Sequence, residues 1–402
     1  MTEIPFKIDV PQESIDLLQQ KLALTTFPDE LEDADWDYGT PLADVKRLIS
    51  RWGNGYDWRK HEAALNEEFP QFTRDIEVEE HGTLNMHYVH KKSHVVDAIP
   101  LLFVHGWPGS FLEVRKILPL LIQGSPEHPA FHVVALSLPG FGFSEAPKKK
   151  GFRIEQYAEV ANKLMLSLGY NEYVTQAGDV GYFVTCEMAN KYGQKNLKAW
   201  HSNFPIAAPP SPFTKPLAFI KAVLGMFTEK ELEGLKRIQD YQEKGSGYFK
   251  IQSTQPQTLG YSLADSPAGL VGWIYEKLVH ASDDYPWEDD EVLTWISIYW
   301  FSRAGPAASI RIYCEFTRAN LEMAKVQPPT NVPIGHSYFP KEILSFPRSW
   351  LAASNLIFES EHESGGHFAS HEKPEELVDD LRRMLGKGGP AFGVVSGKTG
   401  FA

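Results

Sequence analysis

Cysteine is nearly absent: Cys186 and Cys314 are the only two in 402 residues. Two thiols cannot build the multi-bridge framework of a small secreted scaffold, and no Asn-x-Ser/Thr acceptor occurs. Positive charge is also short, with 39 Lys and Arg against 52 Asp and Glu and a net charge of -13. Nucleic acid and anionic membranes are bound by clustered cations, so this balance argues against both as partners. No apolar run approaches the roughly 20 residues of a spanning helix; the run from Ile99 to Val104 is only strand length. No basic-plus-apolar leader pattern opens the sequence, so the expectation is a cytoplasmic protein without a membrane anchor. Metal and phosphate signatures fail as well. His61-Glu62-Ala63-Ala64-Leu65 begins like a zinc-protease helix, but Leu65 stands where the second His belongs. Gly393-Val394-Val395-Ser396-Gly397-Lys398-Thr399 is one residue short of a phosphate loop, with no helical pattern behind it. No metal and no organic cofactor is expected.

What remains is ample core, at 43% hydrophobic and 23% charged residues. The length fits two or three domains, or one large α/β domain with insertions. Residues 1–95 read as an N-terminal meander ending in the first strands. Ile15, Leu18 and Leu22 share one helix face, and Leu42 to Trp52 and Trp58 to Phe69 predict two more helices. Asp75 to Glu80 and Leu84 to His90 alternate like an antiparallel pair. Such a meander, rich in Trp and Pro, suggests an arm packed on something larger.

Residues 96–205 change texture. Pro100 to Val104 and Val133 to Leu136 are continuous apolar strands, as in a sheet covered on both faces. A helical pattern runs through Leu120, and Ile154 to Leu168 predicts an amphipathic helix before the β-prone Tyr173-Val174-Thr175. That rhythm is the rhythm of a parallel α/β sheet. Trp200 to Phe204 reads as the next strand. Residues 206–330 are mostly helical and aromatic, without strand rhythm, and are expected to form an inserted cap. Residues 331–402 resume the core with strands at Ile334 to Phe339 and Leu356 to Phe358, then a helix from Pro374 to Leu385. The Gly-rich tail from Gly386 is expected to be loosely held.

The chemistry centres on Ala177-Gly178-Asp179-Val180-Gly181, a small-x-acid-x-small turn between strand and helix. Taken alone it is also a plain Gly-Asp reversal. As the elbow of an α/β-hydrolase it would hold Asp179 above the sheet as a nucleophile. A carboxylate attacking carbon makes an alkyl ester, which points to epoxides or alkyl halides as substrates. Ester hydrolysis needs an oxyanion hole. The Val180 N–H after the nucleophile is one donor, and His105-Gly106-Trp107-Pro108-Gly109, directly after the strand ending at Val104, supplies the Trp107 N–H as the other. His105 precedes the nucleophile and reads as loop bracing. Chain order places the catalytic His last, and Gly365-Gly366-His367-Phe368 fits, in a glycine-loosened loop able to swing an imidazole over Asp179. His371 competes with it. Glu342, in Phe339-Pro340-Lys341-Glu342, is the expected acid behind His367, with Glu359, Glu361 and Glu363 as alternatives that more naturally form a solvated rim.

These motifs, with Leu138-Pro139-Gly140-Phe141-Gly142-Phe143-Ser144, Gly247 to Thr254 and Asp265 to Leu270, closely resemble the microsomal-type epoxide hydrolases of the α/β-hydrolase superfamily. The resemblance covers nearly the whole chain. It implies an α/β-hydrolase fold with a mostly parallel central sheet, a helical cap inserted in the core and an N-terminal meander. It also implies two cap tyrosines that hold the epoxide oxygen: Tyr248 matches the first and Tyr313 the second. Composition alone could not have selected these two from sixteen Tyr. The substrate implied is an apolar epoxide, the product a vicinal diol, and a homodimer is compatible; a detoxifying and a biosynthetic role stay open. Ala177 replaces the family's more usual Gly, and Val180 a larger residue. A haloalkane dehalogenase would share the triad but needs halide donors, commonly a Trp after the nucleophile, which Val180 cannot supply. A serine elbow at Gly142-Phe143-Ser144-Glu145-Ala146 is followed by Pro147 and a Lys148-Lys149-Lys150 loop, not a packed helix. A non-catalytic binding protein on this fold is the remaining alternative.

Overall fold

A computed structural model describes residues 3–318 and 331–401. Residues 319–330, which the sequence reading assigns to the cap, lie outside the described residues. Among the described residues nine strands form one sheet: β1 (Ile4–Phe6), β2 (Gln71–Val78), β3 (Gly82–Lys91), β4 (Ile99–Val104), β5 (Phe131–Leu136), β6 (Tyr173–Ala177), β7 (Leu197–Ser202), β8 (Ile334–Tyr338) and β9 (Leu356–Glu361). Their order is β1-β2-β3-β5-β4-β6-β7-β8-β9. The pairs from β1 to β5 are antiparallel, and those from β5 through β4 to β9 are parallel. This is the α/β-hydrolase fold, with a mostly parallel sheet.

The apolar runs explain the middle of the sheet. Every residue of β4 and β6 is buried, because helices on both faces remove the need for a polar side. β4 lies between β5 and β6, so the chain reverses its direction of travel across the sheet there. Beyond the carboxyl ends of strands at such a reversal the following loops separate and leave a crevice.

Three local expectations needed correction. The helical pattern through Leu120 divides into a 3-10 turn, Phe111–Val114, and a short helix, Leu118–Leu121. Pro119 has no N–H to give to a preceding turn, so it starts a new helix. The strand expected at Trp200 to Phe204 is Leu197–Ser202, and Asn203 and Phe204 turn away beyond it. The tail is not loose. Ala391, Val395 and Phe401 are buried, Gly400 donates to Asp97 O and accepts from the Ala130 N–H, and the Ser396 N–H bonds Glu172 at 2.7 Å.

Between β7 and β8 the described chain is helical. The N-terminal meander packs on it: Arg51 pairs with Asp290 at 2.8 Å, and the Tyr56 hydroxyl meets Thr294 at 3.1 Å. β1 had no sequence signal, since three residues are too few to display alternation.

Candidate active site

Register brings three loops to one rim of the sheet. Val104 pairs with Ala177, and Ala177 with Ser202, so the chain leaves β4, β6 and β7 side by side. Asp179 then opens the helix Asp179–Tyr192 with φ +48°. Few non-glycine residues adopt that region, and Asp is among those that do. Asp179 Oδ1 accepts the Trp107 N–H at 2.8 Å, and Oδ2 lies 3.4 Å from His367 Nε2. The Val180 N–H belongs to the first helical turn, whose amides have no intrahelical acceptor.

His367 is fixed from behind. Its Nδ1 lies 2.7 Å from Glu342 Oε1, which also accepts the Ile343 N–H at 2.7 Å. Glu342 is 3% exposed, and its Oε2 is buried without a partner. Burial works to lower the His367 pKa, but the charges and hydrogen bonds of Glu342 and Asp179 outweigh it and hold the ring well above the ordinary imidazole value. The loop is anchored. The His367 N–H donates to Ala281 O at 2.8 Å, and a Cβ on Gly366 would collide with that same stretch of chain. Gly366 therefore serves a close approach, not looseness.

Tyr248 and Tyr313 face each other across Trp107. The Trp107 and Tyr248 rings stack at 5.1 Å, and the Tyr313 ring stands edge-on to both, at 5.9 and 6.0 Å. Burial first, then neighbouring phenols and the Asp179 charge, raise both tyrosines well above the ordinary phenol value, so both stay protonated at neutral pH. Beside them lies a cavity of about 480 Å³ with Trp107, Tyr241, Tyr248, Lys277, His367 and Phe368 in its wall. A larger depression of about 670 Å³, between the meander and the helix Pro267–Ala281, touches none of Asp179, His367, Tyr248 or Tyr313.

The competitors are occupied elsewhere. His371 Nε2 bonds Glu291 at 2.7 Å, and its ring stacks on Trp287 at 5.1 Å. Glu359 accepts from the Tyr338 hydroxyl at 2.8 Å, and Glu361 pairs with Lys230 and Arg348. His105 braces its loop, accepting the Leu138 N–H at 3.2 Å, and burial lowers it to about 4. Ser144 is buried and donates to Ser137 O at 2.7 Å, so it is no nucleophile.

Residues 3–114 match the family described as epoxide hydrolase N terminus, and residues 99–240 match the alpha/beta hydrolase fold. Over 410 residues the chain is 36% identical to epoxide hydrolase 1 of Sus scrofa, covering 95% of this chain and 88% of that protein. The chain belongs to the epoxide hydrolase family. Solved structures agree with this epoxide hydrolase assignment. The Aspergillus niger epoxide hydrolase superposes with a TM-score of 0.82 at 34% identity, over 95% of each chain. The juvenile hormone epoxide hydrolase of the silkworm Bombyx mori gives 0.85 at 28% identity, over 94% of this chain and 93% of that one.

Three groups of this epoxide hydrolase escaped the sequence reading. The Tyr241 hydroxyl lies 2.9 Å from that of Tyr248. Glu372 accepts the N–H groups of Asp283, Gly366 and Phe368, at 2.7, 3.1 and 2.9 Å, and so brackets His367. Glu113 lies beside Asp179. Tyr241 and Glu372 carry no local pattern. Glu113 did carry one, the Ser-x-x-Glu spacing of a capping box at Ser110.

Proposed function

We propose that this epoxide hydrolase opens its substrate through a covalent ester on Asp179 and releases a vicinal diol. The observation that carries the proposal is the connected series Glu342–His367–Asp179, at 2.7 and 3.4 Å, with two protonated phenols over Trp107. The Trp107 N–H already engages Asp179 Oδ1, which becomes the ester carbonyl, so Oδ2 is the attacking atom. Tyr248 and Tyr313 donate to the epoxide oxygen as the C–O bond breaks.

Charge bookkeeping sets the second step. At rest the imidazolium of His367 is held by Asp179 and Glu342. Ester formation removes the Asp179 charge, so the His367 pKa falls and its proton can pass to the new alkoxide. The neutral ring then takes a proton from water, whose oxygen bonds to Asp179 Cγ. The Trp107 and Val180 N–H groups hold the oxyanion. Breaking the Cγ–O bond to the substrate frees the diol and restores the carboxylate. These steps use only side chains, backbone N–H groups and water.

A single turnover in heavy-oxygen water with excess enzyme tests the route. The first diol should carry unlabelled oxygen from Asp179, and label appearing in that first diol would refute the ester. A panel of aliphatic, styrene-type and terpenoid epoxides, with Asp179→Ala as blank, reads the substrate range; an apolar, detoxification-type range is the outcome we propose. Halide release without diol would favour dehalogenation instead. We further propose that residues 206–330 act as a cap, that the protein works in the cytoplasm, and that it pairs as a homodimer. Supporting the pair, Leu217, Ile220 and Leu224 are 76%, 51% and 66% exposed on the helix Pro216–Val223 and its C-cap, and Phe213 in the turn before it is 95% exposed. Light scattering of Leu217→Lys beside the parent chain tests it.

A further inference from the structure

Glu113 takes no part in the steps above, yet it stands close to the reacting atoms. Ser110 accepts the Leu112 N–H at 3.2 Å, as a cap should. Glu113 does not complete the capping box. Its carboxyl lies against Gly109, where any Cβ would collide with Oε1, and it faces Asp179.

Glu113, Asp179, Asn203, His367 and Ser370 wall a second, small cavity. The space open to the centre of a water-sized sphere is about 10 Å³, enough for about one molecule. A buried water needs two to four polar partners, and these five side chains offer them. The two cavities share Trp107, His367 and Phe368, but Asp179 is in the wall of the small one only. A water here is within reach of both base and ester, and the alkyl group arriving from the large cavity does not displace it.

We propose that this small cavity holds the water that hydrolyses the Asp179 ester, and that Glu113 positions it. The inference rests on the ester mechanism proposed above. The water oxygen bonds to Asp179 Cγ and one of its protons passes to His367 Nε2. The Cγ–O bond to the substrate then breaks, the departing oxygen takes the water's other proton to give the diol, and Asp179 returns as a carboxylate. Glu113 gains and loses no proton in the step.

The electrostatics agree with a positioning role. Glu113 keeps part of its surface accessible, in keeping with its place on the cavity wall, while protein encloses the carboxyl itself. That enclosure above all, with help from the Asp179 charge and against the pull of His367, moves it up to about 8. Hydrogen bonds with the Gly106 backbone and the Ser370 side chain pull in the opposite direction without prevailing. A neutral carboxyl both donates and accepts one bond to a water, and it places no second anion beside the nucleophile.

The test compares the full-length parent with Glu113→Leu, Glu113→Ala and Glu113→Gln, using the fastest epoxide of the panel above. Loss of the water's anchor slows only ester hydrolysis. In the Leu and Ala variants kcat should fall on the order of ten- to a hundredfold. KM should fall with it, leaving kcat/KM within about twofold, because kcat/KM ends at alkylation. Intact-protein mass at steady state should show one substrate adduct per chain. Gln keeps a donor and an acceptor, so Glu113→Gln should lie closer to the parent. An unchanged kcat in both the Leu and Ala variants overturns the proposal. So does a fall in kcat/KM without adduct, which marks a structural role; the Ala variant decides this if the bulkier Leu does not fold. The heavy-oxygen turnover of the parent reports separately. An unlabelled first diol leaves the ester mechanism standing even where the Glu113 variants fail the inference.

Discussion

The Tyr248 hydroxyl lies 2.9 Å from the hydroxyl of Tyr241, whereas its partner across Trp107, Tyr313, has a buried hydroxyl with no hydrogen-bond partner. The two phenols that would receive the epoxide oxygen are therefore unequal. One is oriented by a neighbour, and the other is buried with an unmet donor.

That inequality separates three variants. An unmet buried polar group costs about 1–3 kcal/mol, so Tyr313→Phe should hold or raise thermal stability while kcat/KM falls on the order of a hundredfold. Tyr248→Phe should lose comparable activity and also about 1 kcal/mol of stability, because the Tyr241 bond is broken. Tyr241→Phe should cost no more than about tenfold. Melting curves beside steady-state kinetics give the comparison, and equal behaviour of the first two variants would contradict it.

The Asp179–His367 pair makes a pH prediction. Asp179 is one of the two groups that hold the His367 pKa above its ordinary value. Asp179→Asn should move the His367 titration downward, seen in the histidine ring proton signals. For stability, a raised folded pKa means that the contribution is complete below about 6.5 and is lost as pH climbs through the folded value. The parent's stability advantage over Asp179→Asn should therefore shrink from about pH 6.5 upward in chemical denaturation. A constant or growing gap would refute the pairing.

His367 and His371 should part company. His367→Gln should still alkylate but stall, with kcat down by a factor on the order of a hundred to ten thousand and one adduct per chain. His371→Gln loses its bond to Glu291 and its match to the Trp287 face, so it should melt earlier yet hydrolyse the ester. Adduct accumulation in both would mean that the loop, not one imidazole, carries the second step.

Gly366 offers a test of fit. A methyl at this position meets the Ala281–Asp283 backbone, so Gly366→Ala should displace His367 from Glu342 and Asp179. About 1–3 kcal/mol of stability should be lost to the overpacking. kcat should drop on the order of a hundredfold from misplacement of the ring. A variant with parental kinetics would show that the loop tolerates more than the packing allows.

The core strands were readable because β4 and the Val133–Leu136 part of β5 are covered on both faces and so appear as unbroken apolar runs, while β6 showed itself only by the β-prone Tyr173-Val174-Thr175. The elbow was readable because a strand-to-helix reversal restricts the residues beside Asp179 to small ones. Glu342 and His367 could be put forward from chain order alone. Tyr248 and Tyr313 entered only through resemblance, because a buried tyrosine and a catalytic one look alike in sequence. Tyr241, Glu372 and Glu113 were missed because their partners are long-range or their local pattern suggested something else.

The sequence by itself determined the parallel core, the Asp-bearing turn, the loop after β4 and the order in which the remaining groups follow. These depend on neighbours within a few residues, where sterics and burial act directly. Tertiary structure alone decided that β1 closes the sheet edge, that the tail is pinned, that Gly366 is pressed against Ala281, and that Glu113 and Tyr241 meet the site. Each of those contacts joins segments whose meeting depends on how the loops and helices pack, and no local pattern encodes that geometry.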